Sequence, residues 1–316
     1  MPPATASSAP QPSPVRAVLA RDLPIVRLRT SVAAGQLIRV GRGIYLGQDS
    51  APGAPPPDPS ELRRRAIAHA QGTHRRLTAR HVFSHGTAAL LWGLPLWRTP
   101  ERTSVLVAHS AGRGADRRVQ RRVGLPPETD VVLIDGLPVT SLGRTLVDCA
   151  LDLAPIDALV VADAALRAGA QRDEALARLA GRGRRRGIGQ AREVVHLADA
   201  GAESPGESAT RFVVLRDGLP TPVTQAPVAT RLGTFWTDVA WPAFRVALEY
   251  DGRVKYAGRE DLVREKRRHD ALVEAGYRVL RVTKEDIHGH ALADRVRDAF
   301  PPGTDLRLTP RRHLNG

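Results

Sequence analysis

The stretch that most constrains the fold is TDVAWPAFRVALEYDG, Thr237 to Gly252. Two apolar runs flank Pro242 and Ala243, each of strand length, and a proline between them favours a turn over an unbroken strand. An antiparallel return through that turn sets Asp238 of the first run alongside Glu249 of the second. Strand side chains alternate in direction, so Glu249 and Asp251 are expected on one side and Tyr250 on the other. The fold must therefore accept carboxylates gathered on one face of a sheet, a costly arrangement unless something compensates their charge.

The neighbouring residues supply the rest of a domain. The small polar run ADAGAESPGES, residues 199–208, marks its start. A helix over about 204–217 is expected to follow, with Glu207 near its beginning and able to add a fourth carboxylate. Strands near 221–229, 234–240 and 244–250 come next, then a helix over 258–275 and a last strand in GYRVLRVT, residues 276–283. Gly276 suits a helix C-cap, and the resulting order is αβββαβ.

Oxygen-only ligands in that number suit Mg²⁺ or Mn²⁺ better than zinc. Such an ion polarises a phosphoryl oxygen and acidifies a bound water, while a nearby lysine steadies the charge that develops. Of 47 basic residues only Lys255, Lys266 and Lys284 are lysines, and all fall in this last domain. Lys255 and Lys266 are the candidates for the basic role. Arg264, Arg267 and Arg268 form a basic ridge on the second helix, readable as a nucleic-acid contact or as a solvated face with Glu260–Arg264 and Glu265–His269 at helical spacing. A structural acidic pair satisfied by neighbouring arginines is the alternative to a metal cluster.

The formal charge of +14 points to a polyanionic partner, most simply nucleic acid, although the preference for arginine with abundant Ala, Gly and Pro reflects a composition bias that inflates basicity. Lone Cys149 reads as a buried core thiol. Residues 1–13 read as a disordered leader without the basic and apolar regions of a signal sequence, and nothing later is long and apolar enough to span a bilayer, so a cytoplasmic protein without a membrane partner is expected.

Residues 14–50 suggest short helices followed by two strand-like runs, LIRV and GIYL, around Gly41-Arg42-Gly43. Helices before a tight basic hairpin suggest a small winged helix-turn-helix, with Arg27, Arg29, Arg39 and Arg42 facing phosphates; a merely solvated hairpin is the other reading. The proline-rich 51–60 segment breaks the chain, and a mixed region of helices and strands covers 60–198. Its His85 and His109 lack partners at metal-ligand spacing, and its GRGRRRGIGQ run reads as a basic loop, lacking the Lys-Ser/Thr of a phosphate-binding loop. Residues 301–316 read as a tail. The fold class expected is α/β of the mixed α+β kind.

The last domain resembles the PD-(D/E)XK nuclease superfamily, in particular the branch similar to very-short-patch-repair endonucleases, through Glu207, Asp238, Glu249-Tyr250-Asp251-Gly252 and REKRRHDALVEAGYRVLRVT. The resemblance implies a restriction-endonuclease-like fold and Asp238 and Glu249 as metal ligands; Asp251 is expected as a third metal ligand from the clustering of carboxylates, and Glu207 as an auxiliary ligand or water-orienter. Asp251 stands where the superfamily usually has a lysine, which moves the basic role to Lys255 or Lys266. Residues 15–170 resemble AbiEi-type antitoxins of type IV toxin–antitoxin systems through RVGRGIYLG, FSHGTAALLWGLPLW and GLPVTSLGRTLVDCAL. That resemblance implies DNA binding by the winged helix and a toxin encoded nearby. Two functions are thus expected: a metal-dependent DNA endonuclease, or a non-catalytic DNA-binding regulator of the antitoxin kind.

Overall fold

The computed structural model describes residues 15–47, 56–109, 116–252, 259–304 and 308–315, with backbone alone for 259–262. The protein is mixed α+β, with ten α-helices and three sheets among the described residues. It divides into two compact units, one of residues 1–91 and 99–140, the other of 92–98 and 141–316.

The first unit opens with strand β1 (Ala17–Leu19), a 3-10 turn, helix α1 (Ile25–Ala33) and the hairpin β2 (Leu37–Gly41) and β3 (Ile44–Gly47). β3 lies between β1 and β2 and is antiparallel to both. The segment expected to begin as helix thus begins as a strand. Ala17 and Leu19 alternate inward onto Val40, Ile44, Leu46 and Ala68, which period-two spacing permits and a helical turn would not. Helix α2 (Pro59–Arg76) starts with proline at its first position, and Asp58 caps it by accepting Glu61 N–H at 2.8 Å. Gly72 lets α2 lie on β3: a Cβ there would stand 2.3 Å from Ile44 Cγ2.

A second sheet follows, built from β4 (His81–Phe83), β5 (Thr103–Val107), β6 (Val119–Val123), β7 (Val131–Ile134) and β8 (Leu137–Thr140), with α3 (His85–Leu91) after β4. Its order is β6-β5-β4-β8-β7. Asp135 and Gly136, both left-handed at φ 49° and 77°, close the tight β7–β8 hairpin.

The second unit begins with helices α4 (Leu142–Asp152), α5 (Pro155–Arg167), α6 (Arg172–Ala180) and α7 (Ile188–Leu197). Ser141 caps α4, and Pro155 opens α5. Cys149 is buried in α4, and burial pushes its thiol up. Then come α8 (Pro205–Arg216), β9 (Val223–Thr230), β10 (Gly233–Trp241), β11 (Val246–Tyr250), α9 (Arg259–Glu274), β12 (Arg278–Val282) and α10 (Ala291–Arg297). The sheet runs β12-β11-β10-β9, with β9, β10 and β11 antiparallel and β12 parallel to β11. From α8 to β12 the elements follow the order read from the sequence.

Compactness divides the chain differently from the sequence, which placed boundaries in 51–60 and at 199. Within the second unit a sealed ion pair spans the expected boundary at 199. Arg211 of α8 and Asp163 of α5 are each 1% exposed and meet at 2.6 Å, which ties the helical region before 199 to the domain after it. The segment read as a tail also packs, with Leu314 buried and Arg311 N–H donating to the Arg216 carbonyl at 3.0 Å.

Candidate acidic site and basic surfaces

Asp238 sits one step beyond the last registered β10–β11 pair, Val239 with Leu248, so continued register sets it opposite Glu249. The ladder is altered at this step. Asp238 Oδ2 accepts the Tyr250 N–H at 2.9 Å. On the other flank β9 keeps register at Ala226 and Thr224, but Gln225 between them is left-handed at φ 47°. Its amide reaches Glu207 Oε2 at 3.4 Å.

Glu207 arrives from the first turn of α8, capped by Ser204, and its carboxylate accepts the Glu203 N–H at 2.8 Å. Gly206 makes this approach possible, because a Cβ there would stand 2.0 Å from the Tyr250 ring. Burial raises the pKa of Glu207, and nearby Asp238 raises it further. Burial likewise raises Asp238, partly opposed by the Tyr250 N–H and the Arg268 charge. Glu249 is raised by burial first, then by Asp238, and lowered by Arg268 and His269. The three carboxylates thus share one electrostatic environment, in which protonation is easier than in water.

The cation of this environment comes from α9. Arg268 Nη1 lies 2.7 Å from Glu249 Oε1, and Nη2 donates to the Trp236 carbonyl at 2.7 Å. The guanidinium also stands 5.9 Å from the centre of the Phe235 ring. The approach to Glu249 Oε1 is close but lacks hydrogen-bond direction, so that oxygen is buried without a hydrogen-bond partner. The Nδ1 atom of His269 is buried and unpartnered as well.

Asp251 follows the end of β11, and its carboxylate lies 3.9 Å from Arg281 of β12, which is 2.6 Å from Glu265. Registered pairing of β11 with β12 ends at Tyr250, and the Asp251 N–H still donates to the Val282 carbonyl at 2.8 Å. Lys255 lies outside the described residues. Lys266, Arg264 and Arg267 are exposed on α9. The expected Glu265–His269 pairing gives way to Glu265–Arg281. Sequence reasoning named Arg268 only as part of a basic ridge, and no sequence signal separates it from Arg264 and Arg267, which the structure leaves exposed.

Among the described residues no three His, Cys, Asp or Glu side chains form a ready metal-binding group. The facing pair of Asp238 and Glu249, with the orphaned Glu249 oxygen, nevertheless fits Mg²⁺ or Mn²⁺, since Mg²⁺ is commonly held by one or two carboxylates completed by water and substrate phosphates.

In the first unit Arg27 and Arg29 are exposed on α1, beside exposed Ile25 and Val26. Arg39 and Arg42 are exposed on the β2–β3 hairpin. Arg118 braces the hairpin by donating to the Val40 carbonyl at 2.6 Å, and Arg76 donates to the Arg42 carbonyl. The Arg42 side chain is thus presented on a hairpin held from behind.

Fold and site together define a two-unit α+β protein with a half-buried acidic pair faced by an arginine. Over 273 residues the chain is 32% identical to the uncharacterized protein Rv2248 of Mycobacterium tuberculosis (strain ATCC 25618 / H37Rv), covering 83% of this chain and 90% of that protein. The uncharacterized protein MT2308 of strain CDC 1551 / Oshkosh matches with the same identity and coverage. The chain belongs to the family of these mycobacterial proteins. No model of a known protein family matches it. Among solved structures it is similar to the RV2827C protein of Mycobacterium tuberculosis, at 17% identity and a TM-score of 0.36 over 62% of this chain and 75% of that one. Among the described residues no helix is long and apolar enough to cross a membrane.

Proposed function

We propose that this protein binds DNA and that its last domain is a metal-dependent endonuclease of the PD-(D/E)XK kind, hydrolysing phosphodiester bonds at Asp238 and Glu249. The observation that carries this reading is the acidic pair itself. Two half-buried carboxylates face each other across β10 and β11 with pKa values raised by burial, an arrangement that costs stability on balance and has a clear use in holding a cation against a phosphate. A bound Mg²⁺ or Mn²⁺ would polarise the phosphoryl oxygen and acidify water. Asp238, fixed by the Tyr250 N–H, holds its carboxylate in one orientation, while Glu249 presents an oxygen held by the Arg268 charge without a directed hydrogen bond. Glu207, whose pKa is raised by burial and by nearby Asp238, is read as the group that orients or exchanges a proton with that water. The strand, helix and basic hairpin of residues 15–47 are read as a winged helix whose Arg27, Arg29, Arg39 and Arg42 meet phosphates.

Full-length protein tests this with supercoiled plasmid. Cleavage is expected with Mg²⁺ or Mn²⁺ and none with chelator, and Glu249→Ala is expected to abolish cutting while retaining duplex binding. Unchanged cleavage by that variant would remove Glu249 from the mechanism.

A second reading, a non-catalytic DNA-binding repressor of the antitoxin kind partnered with a toxin, is favoured by the Arg268–Glu249 contact, which already compensates one carboxylate. Metal-independent promoter binding without cleavage would decide for it.

A further inference from the structure

We propose, resting on the reading of the acidic site as one that handles phosphodiesters, that Arg268 is its basic residue, the group that takes a non-bridging phosphate oxygen beside Asp238 and Glu249. The position two residues after Glu249, where a basic residue would project from the same strand, is Asp251, and it is directed to Arg281. Lys266 is exposed on the helix. Arg268 is the described cation whose charge bears on both Asp238 and Glu249.

Its guanidinium is fixed before any ligand arrives, by the Trp236 carbonyl, the Phe235 ring and Glu249. The Arg268 side chain is 30% exposed against 12% for Glu249, so it lies toward solvent from the acidic pair, where a polyanion would approach. The contact with Glu249 is a charge attraction without hydrogen-bond direction, which leaves the planar fork able to give directed bonds to phosphate oxygens.

This placement gives Arg268 two opposed effects. Toward a divalent cation it is a competitor, because both draw on Glu249. Toward the phosphate it is a partner, because both withdraw negative charge from the same group. A residue that merely propped β11 in place would favour both or neither.

The test uses full-length wild type, Arg268→Met and Arg268→Lys, with folding checked by thermal melts. Mn²⁺ affinity without DNA is read by electron paramagnetic resonance, and affinity for a short duplex without metal is read across a salt series. Arg268→Met is expected to bind Mn²⁺ roughly two- to fivefold more tightly, the scale of one half-exposed ion pair removed. It is expected to bind duplex more weakly, with the salt slope reduced by about 1. Arg268→Lys keeps the charge and is expected to retain most of the slope. Where the wild type cuts, single-turnover cleavage by Arg268→Met is expected to fall roughly 100-fold. Looser Mn²⁺ binding, an unchanged salt slope, or full cleavage by Arg268→Met combined with loss in Lys255→Ala would each overturn the assignment. A wild type that binds Mn²⁺ and duplex yet cuts nothing would refute the nuclease reading alone, and the two affinity shifts would still decide the role of Arg268.

Discussion

Two arginine–carboxylate pairs in the second unit differ in almost every respect. Arg211 and Asp163 are sealed, each 1% exposed at 2.6 Å, and share their remaining bonds with backbone: Arg211 donates to the Leu197 carbonyl and Asp163 accepts the Asp199 N–H. Arg268 and Glu249 stand as close, at 2.7 Å, but partly open to solvent and with a carboxylate oxygen lacking a directed bond. The first pair is shut off from solvent and tied on both sides to backbone, so it acts as architecture even though Arg211 Nε lacks a hydrogen-bond partner. The second keeps capacity in reserve, which is what a ligand site needs.

That contrast can be broken most severely at the sealed pair. Asp163→Ala strands a buried guanidinium and should cost about 3–5 kcal/mol, measured by chemical denaturation. A cost below about 1 kcal/mol would mean that the pair is not structural. The packing beneath the open site gives the next effect. Gly206→Ala sets a Cβ against the Tyr250 ring and should destabilise by about 1–3 kcal/mol, and it should reduce plasmid cleavage by displacing Glu207.

The acidic pair itself should respond in the opposite sense. Burial raises the Asp238 pKa in the folded protein, so the stability associated with its protonated form is fully present below the unfolded carboxylate pKa and is lost as pH rises through the raised folded value. Asp238→Asn should therefore be more stable than wild type near pH 7, by on the order of 1 kcal/mol, and the gain should vanish as pH falls below the ordinary carboxylate range. Melts across a pH series check this, and a variant destabilised at pH 7 would show that Asp238 is a structural group. The smallest expected effect lies in the first unit, where Arg42→Ala should leave stability unchanged within about 0.5 kcal/mol and lower the salt dependence of duplex binding by about one phosphate.

Much of this was legible in the sequence where one local rule governed. Pro242, the alternation of RVALEY and Gly276 define β10, β11, α9 and β12, because turn chemistry and period-two spacing act over a few residues. The opposition of Asp238 and Glu249 follows from the same register. What escaped notice depends on contacts distant in sequence. β4 is three wholly buried residues with no alternation to show, and β6 carries VQRRV at an edge where polar residues are tolerated. Leu314 is a single apolar residue in a polar segment, and its burial depends on packing within the second unit. The role of Arg268 depends on how α9 is rotated against the sheet, which helical periodicity alone does not specify among Arg264, Arg267 and Arg268.

The most direct test of the site is anomalous diffraction from crystals of the full-length protein grown with Mn²⁺ and a short duplex. The account predicts an Mn²⁺ peak between Asp238 and Glu249, with Arg268 turned from Glu249 to a phosphate oxygen. A duplex bound elsewhere, with Arg268 still held on Glu249 and no peak at the pair, would contradict it.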